Sequence, residues 1–363
     1  MMLKVLIFLL LLVGYHSYSF AFSNLLTSTK TPNLLSKPLN IEFPLDHGPH
    51  DTFTTEWWYI TANLVDQDGK ILGIQWTLFR NSRDAHRMSK EPLLEDENLY
   101  WHDNQIWMAH AAITTENDHF FHEKLARGGT GQAGVNGSDF SAWIDNWSFS
   151  GDQDWNKLKI QAKGKNFEYS LNLEASGPII LHGDNGYSIK TVEGHSSAYY
   201  SQPFFKAHGK VVLENDTFSV KGLGWADREW SSSVLGANQA GWDWFSLHLG
   251  NGEKLMLFRM RDKNSNYFYS GTYVTKDKQV LALQSNEINI TPLSHHVRRP
   301  LNKSQKSKTP IRWRIEINNK DVDVITNAIN PNSYNDGLIP YWEGPITFSG
   351  SHQGVGYLEM TGY

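Results

Sequence analysis

The chain has 363 residues, of which 40% are hydrophobic and 20% are charged, with a formal net charge of −5. This composition is that of a globular protein and excludes a disordered chain. The small net charge gives no support for nucleic acid or an anionic membrane surface as a partner. The 14 tryptophans, 15 tyrosines and 18 phenylalanines are typical of β-sheet proteins and of proteins that bind flat or long apolar molecules.

The first 23 residues have the features of a secretory signal peptide. Lys4 provides the positive start, residues 5–14 are apolar, and Ala21 and Ser23 suit the −3 and −1 positions of a cleavage site. We therefore expect an exported protein, periplasmic or secreted, with an uncleaved membrane anchor as the alternative. Residues 24–40 are rich in Ser, Thr, Pro and Asn, which predicts a tether. The chain has no cysteine, so its core alone must stabilise the fold.

A β-hairpin is predicted between Thr55 and Arg80. Its first strand is dense in aromatic and β-branched residues, and Asp68-Gly69 supplies the turn. Alternation places Glu56, Trp58 and Ile60 on one face and Trp57, Tyr59 and Thr61 on the other. Because both faces carry large aromatic side chains, we expect one face to line a cavity and the other to pack between domains.

The second half of the chain repeats this opening. Short alternating runs separated by turn residues fill residues 155–223, which predicts an all-β sandwich or barrel with few helices. A second tryptophan-rich strand, the turn Asn251-Gly252 and a second Leu-Phe-Arg then follow in the original order. We predict two related β domains, residues 41–230 and 231–363, with Trp58 and Trp244 in equivalent strands.

The densest polar cluster is Gly222-Leu-Gly-Trp-Ala-Asp-Arg-Glu-Trp230. In a strand, Trp225, Asp227 and Glu229 share one face, while Arg228 and Trp230 share the other. A carboxyl group beside tryptophans can have a raised pKa because desolvation disfavours its charged form, which would suit a general acid. The alternative is a structural ion-pair network between the domains, formed by Arg228 with Glu56 or Glu229.

Other candidate groups have weaker patterns. His110 lies in an apolar strand, where it could relay protons or be a core histidine with one hydrogen bond. Tyr199 and Tyr200 could bind a ligand or pack in a strand. The histidines lack metal-ligand spacing, so no metal is expected. No serine-hydrolase elbow, cysteine nucleophile, P-loop or dinucleotide fingerprint occurs in the sequence, so no cofactor is expected either.

Several motifs together resemble the AttH/CrtC family, which contains exported lipocalin-like proteins and carotenoid 1,2-hydratases (hydroxyneurosporene synthases). The resemblance covers nearly all of the chain after the tether. The motifs are His47-Gly-Pro-His50 with Glu56-Trp-Trp-Tyr59, Met108-Ala-His-Ala-Ala-Ile-Thr114, Tyr199-Tyr-Ser201, Gly224-Trp-Ala-Asp-Arg-Glu-Trp230, and Tyr341-Trp-Glu-Gly344 with Thr361-Gly-Tyr363.

The resemblance implies two lipocalin-like (calycin-type) antiparallel β-barrels that enclose or flank an apolar ligand site. It also implies a choice of function. The exported branch resembles a partner of an ABC export system, and for this chain it suggests binding of a hydrophobic or amphipathic molecule such as a lipid or isoprenoid. The hydratase branch adds water to an isolated alkene without a redox cofactor. An interaction scaffold with a filled core is a third reading.

The hydratase reading assigns chemistry to particular residues of this sequence. The hydratase reading needs a carboxylic acid to protonate the alkene, aromatic faces to stabilise a carbocation, and a positioned water. The candidate catalytic residues are Asp227, Glu56 and His110. The candidate ligand-binding residues are Trp57, Trp58, Tyr59, Tyr199, Tyr200, Trp225, Arg228, Trp230 and Trp244.

Overall fold

The predicted hairpin opens the fold. In the computed structural model, which describes residues 35–82, 105–232, 238–298 and 307–363, strand β1 (Thr55–Asp66) pairs antiparallel with β2 (Ile71–Ser82). Gly69 adopts a φ of +80° in the turn, a value that glycine reaches without steric cost. The Asp66 carboxylate accepts hydrogen bonds from the backbone N–H groups of Asp68 and Lys70 at 2.9 and 2.8 Å.

The strands form two antiparallel sheets that curl into barrel or half-barrel shapes, as expected for two lipocalin-like domains. The first sheet contains β1, β2, β3 (Gln105–Thr114), β4 (His119–Arg127), β5 (Ala133–Asn136), β6 (Ser141–Ile144), β7 (Trp147–Gly151), β8 (Lys157–Lys163), β9 (Phe167–Ala175), β10 (Ile180–Leu181), β11 (Tyr187–Ile189), β12 (Ser196–Leu213) and β13 (Asp216–Ser231). The second contains β14 (Gln239–Leu249), β15 (Lys254–Asp262), β16 (Tyr267–Val274), β17 (Val280–Leu283), β18 (Ile288–Arg298), β19 (Ser307–Ile317), β20 (Val322–Ala328), β21 (Tyr334–Asn335), β22 (Tyr341–Gly350) and β23 (Gly354–Met360).

Helical structure in the described ranges consists of short 3-10 turns, Leu45–His47 and Ser285–Glu287. No helix in this part of the chain is long and apolar enough to cross a membrane. The predicted signal peptide, residues 1–23, lies outside the described residues, as do residues 24–34 of the predicted tether. The signal peptide and the predicted export therefore remain predictions.

In each barrel the first strand pairs with the second and with the last. β1 lies between β2 and β13, and β14 lies between β15 and β23. Glu56 stands opposite Arg80 in the first barrel, and Asp243 stands opposite Arg259 in the second. The arginine of each Leu-Phe-Arg segment therefore pairs with an acidic residue of the first strand in both barrels, so the strand pairing is repeated as well as the sequence.

This register shows which tryptophans of the repeat correspond to each other. Trp58 and Trp244 do lie in equivalent strands, β1 and β14. When Arg80 is matched to Arg259, however, the equivalent of Trp244 is Trp57, and the equivalent of Trp58 is Phe245. Trp58 points into its barrel, whereas Trp244 points out of its own toward the other barrel. Alternation along a strand makes a shift of one residue exchange the two faces.

Side chains fill the interior of both barrels. Trp58, Trp76, Trp147 and Trp155 are fully buried in the first core, and Phe245 and Trp313 are fully buried in the second. A third cluster of buried side chains lies between the barrels and contains Tyr59, Tyr199, Trp225, Trp244, Met256, Phe258, Met260 and Tyr357. The outer faces of β1, β12, β13, β14, β15 and β23 therefore pack together instead of facing water.

The two barrels lie close together at Gly73 of β2. A Cβ atom at this position would lie 2.5 Å from Pro345 Cγ and 2.7 Å from the Tyr357 hydroxyl oxygen, both in the second barrel. Glycine is therefore needed for the contact. Nearby, the Asn63 side chain donates a hydrogen bond of 2.8 Å to the Gly356 carbonyl oxygen, which satisfies a polar group at the interface.

Candidate active site

A cavity of about 100 Å³ lies between the two barrels. Its walls come from the outer faces of β1, β2, β3, β12 and β13 on one side and of β14, β15, β22 and β23 on the other. Most of the lining is apolar or aromatic. Trp57 and Trp242 are only partly buried, so aromatic rings extend from the cavity to the surface. The apolar lining residues are Trp57, Phe79, Met108, Trp242, Trp244, Phe258, Met260 and Ile339.

The two walls contain equivalent sets of residues. Trp57 stands opposite Phe79 in β2 and opposite Glu229 in β13. Trp244 stands opposite Phe258 in β15 and opposite Glu359 in β23. All six of these residues line the cavity. The internal repeat therefore builds one shared site from the same face of both domains.

Asp227 is a buried carboxyl group in the wall formed by the first barrel. It has a raised pKa and no cationic partner among the described residues. It is 3% exposed, and no lysine or arginine among the described residues forms an ion pair with it. It accepts hydrogen bonds from Trp225 Nε1 at 2.7 Å, from the Tyr199 hydroxyl at 3.0 Å and from the Ser201 hydroxyl. Burial raises the pKa of Asp227 to about 7, because these hydrogen bonds offset only part of the desolvation.

Glu359 is its counterpart in the second wall. Trp242 Nε1 donates a hydrogen bond of 2.7 Å to its carboxylate. Burial, helped by the negative charges of Asp227 and Glu229, raises the pKa of Glu359 to about 7, while the Trp242 hydrogen bond acts in the opposite direction. Near neutral pH the cavity therefore contains two carboxyl groups that can each give or take a proton.

Glu229, the equivalent of Glu359, has a cationic partner. Lys190 Nζ lies 3.0 Å from its carboxylate, and the Ser197 hydroxyl donates to the same oxygen. The Lys190 ammonium also lies 3.7 Å from the centre of the Phe258 ring in the other barrel. Burial lowers the pKa of Lys190, while Glu229 raises it. The pair places a cation on an aromatic face at the cavity wall.

His110 lines the cavity on the β3 side and is fully buried. Its Nδ1 lies 2.9 Å from the Tyr341 hydroxyl of the second barrel, and its Nε2 lies 2.9 Å from the Glu123 carboxylate on β4. Burial lowers the pKa of His110, and Glu123 acts in the opposite direction. Both ring nitrogens have polar partners, so this histidine differs from the core histidine with one hydrogen bond.

Glu56 does not reach the cavity. It lies on the opposite face of β1, inside the first barrel, where it contacts both Arg80 and Arg228 and accepts the His50 backbone N–H at 3.1 Å. Burial by itself would raise its pKa, but Arg228 and Arg80 hold that pKa well below its usual range. Glu56 and Asp227, both predicted as catalytic residues, therefore belong to two separate places.

The predicted ion pair of Arg228 with Glu56 is present, but it connects strands of one barrel and does not link the two domains. The Arg228 guanidinium also lies 3.9 Å from the centre of the Trp58 ring and donates to the Gly48 carbonyl oxygen at 2.6 Å. This network closes one end of the first barrel. Both oxygens of the Glu56 carboxylate are taken up by guanidinium groups, which favours a structural role for the network.

Eight of the other predicted residues divide between the two faces. Trp57, Tyr59, Tyr199 and Trp244 line the cavity. Trp58, Tyr200 and Trp230 point into the core of the first barrel, together with Arg228, so they cannot touch a ligand in the cavity. Trp225 lies at the interface and donates to Asp227 without lining the cavity itself. The expectation for the two faces of β1 was therefore partly wrong: the face without Glu56 both lines the cavity and packs between the domains, and the face with Glu56 points into the barrel core.

Several site residues were not predicted, namely Lys190, Trp242, Phe79, Phe258, Tyr341 and Glu359. The internal repeat contained a sequence signal for Glu359. The repeated Leu-Phe-Arg aligns the two hairpins, and in this alignment Glu229 in the last strand of the first barrel corresponds to Glu359 in the last strand of the second. In the described ranges, no group of three or more His, Asp or Glu side chains is arranged to hold a metal ion.

Comparisons with known proteins agree with this architecture. The model of the AttH-like family matches residues 35–363. An AttH protein from Nitrosomonas europaea has a similar crystal structure, with a TM-score of 0.78 and 27% identity, covering 92% of this chain and 99% of that chain. Kievitone hydratase from Nectria haematococca has the same fold at 16% identity, with a TM-score of 0.66, covering 92% of this chain and 96% of that chain. No curated protein sequence matches the chain significantly. Because the family model spans almost everything after the predicted signal peptide and tether, the chain belongs to the AttH-like family.

Proposed function

We propose that the protein is a hydro-lyase that adds water to an isolated carbon–carbon double bond of an apolar substrate, in the cavity between the barrels. The observation that carries the proposal is Asp227. This buried carboxyl group faces an aromatic cavity, has no cationic partner among the described residues, and has a pKa raised to about 7. A neutral carboxylic acid at neutral pH is what protonation of an alkene requires.

In the first step, the Asp227 carboxyl group transfers its proton to the less substituted alkene carbon. The π electrons form the new C–H bond, and the other carbon becomes a carbocation. The aromatic faces of Trp57 and Trp244 stand on either side of the cavity and can stabilise this positive charge. The Tyr199 and Trp225 hydrogen bonds stabilise the carboxylate that remains.

In the second step, a water molecule attacks the carbocation through its oxygen lone pair. Glu359, ionised for part of the time near neutral pH, accepts the proton that the water loses. The product is an alcohol, and the reaction transfers no atom to or from a cofactor. At the end of the reaction Asp227 has lost one proton and Glu359 has gained one. Hydration involves no net redox change, so the residues of the cavity suffice for it.

The comparison with kievitone hydratase supports the reaction class by analogy, because that protein is named as a hydratase and has the same fold. One fold can serve both binders and enzymes, so the argument rests on the cavity. The half-buried tryptophans Trp57 and Trp242 favour a substrate whose apolar end enters the cavity while its remainder extends between the barrels.

The test is incubation of the purified protein with squalene, an acyclic polyene with isolated double bonds, in H₂¹⁸O. We expect a labelled tertiary alcohol from the wild type. Asp227→Asn keeps the shape of the side chain but loses the acidic proton, so turnover should fall by roughly 10²- to 10⁴-fold. Asp216→Asn changes an exposed aspartate at the far end of the same strand and should keep wild-type turnover. Equal turnover in all three proteins would contradict the proposal.

The second candidate function is binding of a hydrophobic or amphipathic molecule without turnover, as the exported branch of the family resemblance suggests. The aromatic surface that runs from the cavity to the outside favours it. A protein that retains squalene in a pull-down assay but forms no labelled alcohol would favour this function. Partnership with an ABC transport system and export of the chain remain predictions of the resemblance.

A further inference from the structure

A continuous series of hydrogen-bonding groups leads from the protein surface to the cavity. It begins at Glu123 of β4, whose side chain is 17% exposed, and passes to His110, which is fully buried. From His110 it crosses to the Tyr341 hydroxyl in the second barrel. Glu343 is close enough to Tyr341 for the two groups to influence each other's pKa, and it accepts the Tyr59 hydroxyl at 2.5 Å.

The inner end of this series faces the acid of the proposed reaction. His110, Tyr341 and Tyr59 all line the cavity. Tyr59 stands directly opposite Asp227 in the neighbouring strand. Burial raises the pKa of Glu343 well above its usual range, so this carboxyl group can hold a proton at neutral pH.

The outer end is held in place by the second barrel. The Glu123 carboxylate accepts the Leu338 backbone N–H at 3.1 Å, in the loop that precedes β22. A Cβ atom at Gly337 would lie 2.3 Å from the same carboxylate, so a glycine permits this approach. Around His110, the rings of Phe79 and Phe121 complete the enclosure, and Glu123 and Tyr341 are the titratable groups in contact with it.

We propose that Glu123, His110 and Tyr341 form a proton relay that connects solvent with the interdomain cavity. The inference deepens the proposed function, because each hydration consumes one proton at Asp227 and releases one at Glu359. Without exchange with solvent, or transfer inside the cavity, the two carboxyl groups would end each cycle in the wrong protonation states.

Each proton that enters the relay displaces one proton at every later group. A proton taken up from water by Glu123 moves to His110 Nε2, while His110 Nδ1 gives its proton to the Tyr341 oxygen and the Tyr341 hydroxyl proton moves to Glu343. One proton enters at Glu123 and one arrives at Glu343, which accepts the hydroxyl of the cavity-lining Tyr59. The imidazole changes tautomer without a change in charge. The proton that the attacking water loses leaves along the same path in the opposite direction. This second transfer returns His110 to its first tautomer. One full hydration cycle therefore resets the histidine.

Two substitutions interrupt the relay, one at Glu123, which lies outside the cavity lining, and one at Tyr341, which lines the cavity. Glu123→Gln keeps the size of the side chain and can still accept the Leu338 N–H, but it cannot carry a proton. Tyr341→Phe removes the hydroxyl at the inner end. The matched control is Glu174→Gln, an exposed glutamate in β9 of the same barrel.

The experiment is a rapid pH jump from pH 8 to pH 6 with time-resolved infrared detection of the C=O stretch of protonated buried carboxyl groups, with Asp227→Asn used to assign the band. We expect Glu123→Gln and Tyr341→Phe to slow the rise of this band about tenfold or more, as loss of an acid–base group does, and Glu174→Gln to leave its rate unchanged. Small imidazole buffers should restore part of the rate in Glu123→Gln.

This measurement separates the relay from the proposed function. An unchanged rate in both relay variants would overturn the relay, whatever the protein catalyses. A slowed band together with no labelled alcohol from the wild type would retain the relay and overturn the hydratase. Absence of any Asp227 band would overturn both, because the relay would then have no acid to supply. In the hydration assay, Glu123→Gln should complete its first turnover at the wild-type rate and slow only in later ones, a pattern that a misfolded cavity would not produce.

Discussion

Glu229 and Glu359 occupy equivalent positions in the two barrels, each opposite a tryptophan of the first strand and each facing the same cavity. The two differ in their partners. Glu229 is paired with Lys190, whereas Glu359 accepts a hydrogen bond from the neutral indole of Trp242. The repeat thus provided two similar carboxyl groups. Their neighbours make Glu229 one half of an ion pair and raise the pKa of Glu359 to about 7, so Glu359 can exchange a proton near neutral pH.

Removal of Lys190 should therefore act through Glu229. Lys190→Met leaves a buried carboxylate without its cation and should lower the free energy of unfolding by roughly 3 to 5 kcal/mol. Lys190→Met combined with Glu229→Gln should recover most of this loss, because no uncompensated charge remains. Chemical denaturation of the two single variants and the double variant measures the coupling. Additive losses would show that the pair does not interact as described.

Trp57 and Trp58 are neighbours in sequence with different roles. Trp58 is fully buried in the first barrel, so Trp58→Ala should cost about 3 to 5 kcal/mol of stability. Trp57 lines the cavity and is only partly buried, so Trp57→Ala should weaken binding of an apolar fluorescent probe with a much smaller loss of stability. Each variant serves as the control for the other. Equal effects of the two substitutions on binding and stability would refute the assignment of faces.

The Arg228–Glu56 pair should matter for stability and not for chemistry in the cavity. Arg228→Ala removes one of two guanidinium groups around a fully buried carboxylate, and we expect a loss of roughly 3 to 5 kcal/mol. Under conditions in which the variant is folded, the turnover number should stay within about twofold of the wild type. A folded Arg228→Ala protein with turnover as low as that of Asp227→Asn would place this network in the active site after all.

Asp227 should also make stability depend on pH. Its pKa is about 7 in the folded protein and near the ordinary value of 3.8 in the unfolded chain. Between these values the folded protein holds a proton that the unfolded chain has released, so stability falls as the pH rises from about 4 to 7. Asp227→Asn removes this contribution. Relative to wild type, the variant should therefore gain stability with rising pH, by up to roughly 4 kcal/mol for a shift of about three pKa units. Urea unfolding at pH 4.5 and pH 8 measures the change; a constant difference would contradict a raised pKa.

Much of the architecture could be predicted from residue patterns. The Asp68-Gly69 turn and the repeated Leu-Phe-Arg predicted two hairpins, and alternation correctly separated Asp227 and Glu229 from Arg228 and Trp230. Which face of β1 lines the cavity could not be predicted, because Trp57 and Trp58 are the same residue type on opposite faces. The contact of Tyr59 with Glu343, 284 residues apart, depends on how the barrels pack, and no local pattern encodes that packing.

The protonation state of Asp227 in the folded protein tests the central claim most directly. Aspartate labelled with ¹³C at the side-chain carboxyl carbon allows its titration to be followed by NMR, and Asp227→Asn identifies the signal. We predict a midpoint near the value of about 7 that burial produces, with Asp227 largely protonated at pH 6. A midpoint at or below the ordinary value of 3.8 would mean that Asp227 is ionised throughout the neutral range, and it would contradict the assignment of this residue as the acid.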